Sequence, residues 1–375
     1  MDRILVCGLT SNLGGIEKVI LNFYQFMNKE KYTLDFLCLG NEKIGFHQEF
    51  EKISNYEINY YYLPKPSDNP FFFRKKLNNF FKENASKYDA IWVNLCQLSN
   101  IEYLKIAKKY NIPKRIIHSH NGDDDCKGIK RKLHMINRHF IQWYATDFWA
   151  CSDEASKWFY PSTLQNEVKL IHNAINVETF LFDKSKRDNL RKKLGIHTDE
   201  IVIGHIGRIS FQKNQEFLIS VFANLYSNMK NIKLILIGGG DDSKLRDLVK
   251  EKGIEDRVLF LGLQTNAENF YSVFDFFFFP SNYEGLPVTL LEAQANGLPI
   301  LASDVISKQS IINENLYFYS LDNSVESWTN ELEKVIKSSK RVNQENIIDN
   351  FTKQGFEIKL EAKRIEKIFE DESKA

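Results

Sequence analysis

The sequence has little of what would tie it to an oxidising compartment, a polyanion or a bilayer. Its five cysteines (Cys7, Cys38, Cys96, Cys126 and Cys151) are odd in number and scattered, with no C-x-x-C pair. That pattern fits a reducing compartment and no structural zinc. Charge of one sign is missing as well: 50 Lys and Arg against 49 Asp and Glu leave a formal +1. Such a balance argues against bulk nucleic-acid binding and leaves room only for local basic patches. No stretch approaches the roughly 18 apolar residues of a membrane span. The opening Met1-Asp2-Arg3-Ile4-Leu5-Val6 reads as a strand, not as a basic region followed by an apolar signal segment. The expected location is therefore the cytoplasm.

What is present is globular: 43% hydrophobic and 26% charged over 375 residues, a length that suits two domains of roughly 100–200 residues each. Short apolar runs alternate with helix-length amphipathic segments, the pattern of βα units and parallel sheets. The first half offers strands at 3–9, 33–39, 59–63, 90–94, 115–118, 148–151 and 169–172. A helix is expected over 15–28, where Ile16, Val19, Ile20, Phe23, Phe26 and Met27 recur at helical spacing. The strongly charged 183–200 reads as a break. Alternation restarts with strands at 201–207, 233–238, 258–261, 275–279, 300–303 and 316–319, and helices at 215–228, 243–252, 268–274 and 288–296. This predicts two doubly wound, Rossmann-like α/β domains, 1–180 and 181–350, joined near 175–200. Ligands of open α/β sheets sit beyond the carboxyl ends of the strands, so the cleft between two such sheets is the expected site and residues just after strands are the ones that count.

Three such places carry chemistry. Arg208 ends the strand at 201–207, and Lys213 stands just before the helix at 215–228. A helix start has unpaired amides and a partial positive charge, so an added Arg and Lys make an anion site suited to a diphosphate. Taken alone, the pair also reads as a solvated loop. The second place is NYEGLPVTLLEAQANGLPI, residues 282–300. Glu284 falls in a loop beside Gly285, which lets backbone approach a ligand. Pro287 suits a helix start, Glu292 falls in that helix's second turn, and Gly297 caps its end. Two carboxylates that accept from sugar or ribose hydroxyls, amides for a phosphate and opposing cations fit a nucleotide sugar. The third place is the glycine turn Thr10-Ser11-Asn12-Leu13-Gly14-Gly15-Ile16-Glu17-Lys18. It is not G-x-G-x-x-G, and the dinucleotide reading is declined.

These motifs together resemble the family-four retaining glycosyltransferases of GT-B fold, over nearly the whole chain. Pro280, Ser281, Glu284, Gly285, Pro287, Glu292 and Ala293 are similar to that family's E-x7-E signature. Gly207-Arg208 with Lys213 resembles its donor-phosphate site, and Asp256-Arg257-Val258 with Leu261-Gly262 and Asp275 resemble its spacers. His172-Asn173-Ala174-Ile175-Asn176 with Phe180 resembles its interdomain segment, Ala174 and Asn176 standing where Gly and Asp are usual. The resemblance implies two Rossmann-like domains facing across a cleft, with the last helix crossing back to the first. The tail, 351–375, helical over 354–369 with Ile358, Leu360, Ile365 and Ile368 apolar, is that helix.

By the same resemblance Arg208 and Lys213 hold the donor diphosphate, Glu292 the ribose hydroxyls and Glu284 the donor sugar, with the amides of Gly285 and Leu286 completing the pocket. Gly14 and Gly15 lie near the donor phosphates and, with His120 and Asn121, near the acceptor. His120 would meet the donor sugar and count as catalytic with Glu284, Arg208 and Lys213. Two histidines, His118 and His120, on one face of a strand are a metal pair or, more often, structural. Asp123-Asp124-Asp125 contains an Asp-x-Asp that reads as a solvated turn, and neither a metal nor another cofactor is expected.

The implied activity is transfer of a sugar from a nucleotide donor, a UDP-sugar favoured, to a glycan or lipid-linked saccharide in surface polysaccharide assembly. A sugar-nucleotide epimerase or hydrolase, or a catalytically idle sensor, are the rivals. Two acid-free basic stretches, 70–82 and 126–146, are candidates for contact with an anionic membrane at the inner face of the cell. In the first, Phe73, Leu77, Phe80 and Phe81 share a face that equally suits packing on the domain core.

Overall fold

The computed structural model describes residues 1–121 and 127–370, so Asp123, Asp124 and Asp125 lie outside the described residues. The chain forms two compact units: residues 1–174 with the C-terminal helix Ile358–Glu370, and residues 175–357.

In the first unit seven strands form one parallel sheet: β1 (Asp2–Cys7), β2 (Tyr32–Leu39), β3 (Tyr60–Leu63), β4 (Ala90–Leu95), β5 (Lys114–Ser119), β6 (Asp147–Ala150) and β7 (Val168–Leu170). Their order is β3-β2-β1-β4-β5-β6-β7. Each strand from β1 to β6 is followed by a helix that packs on the sheet, and the central strands read as apolar runs. The chain winds outward from β1 to β3, then returns to β4 beside β1 and winds the other way. The carboxyl ends of β1 and β4 flank that reversal.

The second unit repeats the plan with six strands: β8 (Ile201–Ile206), β9 (Ile232–Ile237), β10 (Val258–Phe260), β11 (Phe276–Phe279), β12 (Ile300–Ser303) and β13 (Leu316–Tyr319). Their order is β10-β9-β8-β11-β12-β13, all parallel, and the reversal falls between β8 and β11. All four phenylalanines of β11 are buried, as a central strand covered on both faces demands. Burial of each contributes roughly 1.5–3 kcal/mol. Phe276 and Phe278 join Leu218, Phe222, Leu234 and Trp328 in one core.

The structure departs from the sequence expectations at the joints. The units divide at 174/175 and 357/358, not at 180/181 and 350/351. The charged 183–200 is no linker: Lys184–Lys193 is a helix of the second unit. Arg187 and Arg191, one turn apart, both reach Asp275 before β11, at 2.5 Å each. In the C-terminal helix Ile358, Ile365 and Ile368 are buried, whereas Leu360 is 48% exposed and lies off the packed face. That helix stays with the first unit through Tyr32, whose ring packs tilted against Phe369 at 5.7 Å, and through the Lys114 ammonium, which donates to the carbonyl of Phe369 at 3.1 Å. Of the basic stretches, Pro70–Asn84 turns Phe73, Leu77, Phe80 and Phe81 into the core. Gly128–Phe140 does the opposite: Ile129, Leu133, Met135, Ile136 and Phe140, with Trp143 beyond it, are exposed, and His134 is its buried residue. Among the described residues no helix is long and apolar enough to cross a membrane.

Candidate active site

In the second unit the loops after β8 and β11 emerge side by side at the reversal and are stitched together. Asn214 takes the left-handed conformation at φ +57° and opens the helix Gln215–Asn228. Its Nδ2 donates to the carbonyl of Pro280 at 3.0 Å. The amide of Asn282 donates to the carbonyl of Gln212 at 2.8 Å, and Asn282 Nδ2 to that of Phe211 at 2.6 Å.

These ties bring Lys213 and Glu284 together: Nζ lies 2.6 Å from Oε1, and the side chains are only 14% and 7% exposed. Gln212 Nε2 donates to the other oxygen, Oε2, at 3.2 Å. The lysine also lies 4.6 Å from the centre of the Phe279 ring, a cation–π contact. Gly207 leaves room for this: a Cβ there would sit 3.1 Å from the lysine methylenes and would press the lysine to shift by a few tenths of an ångström. Gly238, at φ +151°, is required beside it, since its Cβ would fall 2.0 Å from the backbone carbonyl oxygen of Gly207.

Arg208 stands in contrast. It is exposed, and its guanidinium has no partner among the described residues. The helix Val288–Ala295 begins after Pro287 with no side-chain cap on its first amides. Gly285 and Leu286 are buried just before it. Two buried hydroxyls of the same segment, Ser281 Oγ and Thr289 Oγ1, have no hydrogen-bond partner among the described residues. Buried polar atoms are rarely left so. Glu292 is 8% exposed, and its Oε2 accepts from the Tyr271 hydroxyl at 2.6 Å. Burial, then the Glu292 charge, pushes the tyrosine pKa well up, so Tyr271 stays a donor.

In the first unit the glycine turn follows β1. Gly14 opens the helix Gly15–Phe26, and the buried Glu17 carboxylate accepts from Thr10 N at 2.6 Å and Thr10 Oγ1 at 2.9 Å, folding the turn onto the helix start. His120 and Asn121 follow β5. His120 Nε2 is 2.9 Å from Asn94 Oδ1 at the end of β4. Burial lowers the His120 pKa to about 3, and burial with the neighbouring His120 ring takes His118 well below its usual value. The two rings are 4.1 Å apart and neutral, and neither nitrogen of His118 has a hydrogen-bond partner among the described residues. No group of three or more His, Cys, Asp or Glu among the described residues is placed to hold a metal ion.

The structure thus gathers Arg208, Lys213, Glu284, Gly285, Leu286 and Glu292 on neighbouring segments of one unit, and Gly14, Gly15, His120 and Asn121 at strand ends of the other. Sequence reading missed Gln212, Tyr271 and Asn94. Their partners are 72, 21 and 26 positions away, and only the strand order brings them close.

Comparison with known proteins assigns the architecture. The family described as "Glycosyl transferases group 1" matches residues 186–354, the span that carries Arg208, Lys213, Glu284 and Glu292. EpsF of Bacillus subtilis (strain 168), which bears a provisional glycosyltransferase name, is 31% identical over 304 residues, 80% of this chain and 78% of that one. The chain belongs to the group 1 glycosyltransferases. The capsular polysaccharide biosynthesis glycosyltransferase CapH of Staphylococcus aureus is 23% identical over 363 residues, 89% of this chain and 96% of that one. Among solved structures, Anabaena HepE in complex with UDP and glucose superposes with a TM-score of 0.80 at 16% identity, covering 99% of this chain and all of that one. The fold of this glycosyltransferase is GT-B.

Proposed function

We propose that this glycosyltransferase moves a sugar from a UDP-sugar to a glycan or lipid-linked saccharide, with retention of anomeric configuration and without a metal ion, in assembly of a surface polysaccharide. The observation that carries the reading is the chemistry at the β8/β11 reversal. An unpaired Arg208, a paired Lys213 and an uncapped helix start offer positive charge and amide donors. Glu284, Glu292 and two unpartnered hydroxyls offer acceptors. A diphosphate flanked by ribose and sugar hydroxyls satisfies both sets. Support comes from HepE, whose structures hold UDP, glucose and UDP-glucose, and from the polysaccharide role in the name of CapH.

On this reading Arg208 and Lys213 stabilise the charge that grows on the departing nucleoside diphosphate. Donors preorganised for such charge are the largest usual contribution to catalysis in a site like this. Glu292 receives the ribose hydroxyls, held in place by Tyr271. Glu284 turns from Lys213 toward the sugar. Gly14, Gly15, His120 and Asn121 serve the donor phosphates, donor sugar and acceptor from the first unit. The outward apolar row of Gly128–Phe140, with Lys127, Lys130, Arg131, Lys132 and Arg138 around it, supports peripheral contact with anionic lipid at the cytoplasmic face.

The test is product analysis with radiolabelled UDP-sugars and a lipid-linked saccharide acceptor, in EDTA. A labelled glycoside with the donor's anomeric configuration supports the reading. Free sugar alone, or an epimerised UDP-sugar, would replace it with hydrolysis or epimerisation.

A further inference from the structure

His120 is held through one ring nitrogen, and the manner in which its partner is held decides where the proton sits. Asn94 Nδ2 faces two backbone carbonyls, those of Trp92 at 3.3 Å and Cys7 at 3.4 Å. Carbonyls only accept, so the amide nitrogen must point at them and Oδ1 must point at His120. Oδ1 in turn only accepts, so His120 Nε2, 2.9 Å away, must carry a hydrogen.

Among the described residues the surroundings favour one proton on the ring. His120 is 5% exposed, with the His118 ring 4.1 Å away. Burial disfavours the imidazolium, and no described residue brings a carboxylate to it. With Nε2 protonated and the ring neutral, Nδ1 is a bare acceptor, and no described residue donates to it.

The frame that holds Asn94 is rigid. Asn94 is fully buried at the end of β4. Gly8, at φ +91°, packs against its backbone, where a Cβ would fall 1.9 Å from the Asn94 carbonyl oxygen. On the other side the amide of His120 donates to the carbonyl of Leu95 at 3.3 Å, and Cys151 Sγ donates to the carbonyl of His120 at 3.3 Å. Both partners of the Asn94–His120 bond are therefore fixed through their backbones.

We infer that Asn94 is a positioning residue of the transfer reaction: it locks His120 in the Nε2–H tautomer, so that the imidazole presents Nδ1 to a sugar hydroxyl as an acceptor and supplies no proton. The inference rests on the proposed reading in that His120 meets the donor sugar. It adds a rule of selection. The contacted hydroxyl must donate, so a donor sugar carrying fluorine there, which accepts only, is rejected. The same ring is unsuited to a phosphate, which also only accepts.

The experiment uses full-length protein with nitrogen-15-labelled histidine, the His120 signals being identified by their loss in His120→Gln. Without any donor, wild type is expected to show Nε2 protonated and Nδ1 bare. Asn94→Asp, nearly isosteric, places a carboxylate against the ring and is expected to protonate both nitrogens, turning Nδ1 into a donor. With UDP-sugar, the same variant is expected to lose at least tenfold in kcat while UDP affinity stays within about twofold. Asn94→Leu removes the acceptor and is expected to give a mixture of tautomers.

A wild-type ring protonated on Nδ1, or an Asn94→Leu ring that keeps the Nε2–H tautomer alone, overturns the inference. So does Asn94→Asp protein with a doubly protonated ring and undiminished kcat. A wild type that shows the Nε2–H tautomer yet uses no UDP-sugar defeats the proposed function and leaves the tautomer lock standing.

Discussion

Lys213 and Glu284, residues that the donor is expected to engage separately, hold each other at 2.6 Å in a nearly buried pair. On the proposed reading the donor site contains its own counter-ion, and a bound diphosphate would exchange one partner of Lys213 for another. Gln212 remains on the released carboxylate. The division of labour has a measurable form. Lys213→Ala is expected to lower turnover about 100-fold or more, the range for removal of one preorganised charge-stabilising donor. Glu284→Gln is expected to lower turnover with little loss of UDP affinity. Initial rates set beside calorimetric titrations check both, and equal weakening of UDP binding by the two changes would contradict the assignment.

Tyr271 serves Glu292 in the same region. Its hydroxyl is 2.6 Å from the carboxylate, and a hydrogen bond to a charged group contributes about 1.5–3 kcal/mol when buried. Tyr271→Phe keeps the ring that packs on Phe180 at 5.8 Å and Phe277 at 5.9 Å, so the fold should persist. UDP is expected to bind roughly tenfold more weakly, with kcat changed far less. Titration of UDP into the variant measures it, and an unchanged Kd would detach Tyr271 from the nucleotide.

Much of this was legible before the structure. The alternation of apolar runs gave the strands within a residue or two, because a strand covered on both faces must be apolar throughout, as the four phenylalanines of β11 show. Arg208, Lys213, Glu284 and Glu292 were legible because each stands just after a strand or in the first turns of a helix, where local signals exist. Asn94, Gln212 and Tyr271 were not. Each acts on a residue carried to it by strand order, and a buried asparagine or tyrosine has no local pattern to mark it. The helix Lys184–Lys193 was misread for a related reason: its charges look solvated until Asp275 is placed under Arg187 and Arg191.

Stability should fall with acid in a window set by the buried histidines. Burial lowers the His120 pKa to about 3 and that of His205 to about 4, against about 6.5 in the unfolded chain. Between those values the unfolded state binds more protons than the folded one. Stability is thus complete above about pH 6.5 and is lost as pH falls toward the folded values. From pH 6.5 to 5 each such histidine contributes a loss of about 2 kcal/mol. Urea unfolding across that interval measures the slope, and His205→Gln is expected to make it shallower. An unchanged slope would show that His205 does not carry the effect.

The apolar row of Gly128–Phe140 makes a separate prediction. Ile129 is 76% exposed and Ile136 53%, and the exposed Lys130 and Lys132 of the same helix would each contribute about 1 kcal/mol at an anionic surface. The chain is expected to co-sediment with phosphatidylglycerol vesicles at low salt. Ile129→Glu with Ile136→Glu should abolish this while leaving UDP binding intact. Failure of the wild type to sediment would contradict peripheral membrane contact.

The donor site itself is tested most directly by calorimetric titration of UDP, GDP and dTDP, in EDTA, into wild type and Arg208→Ala. Metal-free binding of UDP in preference to the other two, lost in the variant, is the expected result. Binding of none of the three, or UDP binding that needs a divalent metal or survives the loss of Arg208, would contradict the reading of the β8/β11 reversal as a UDP-sugar site.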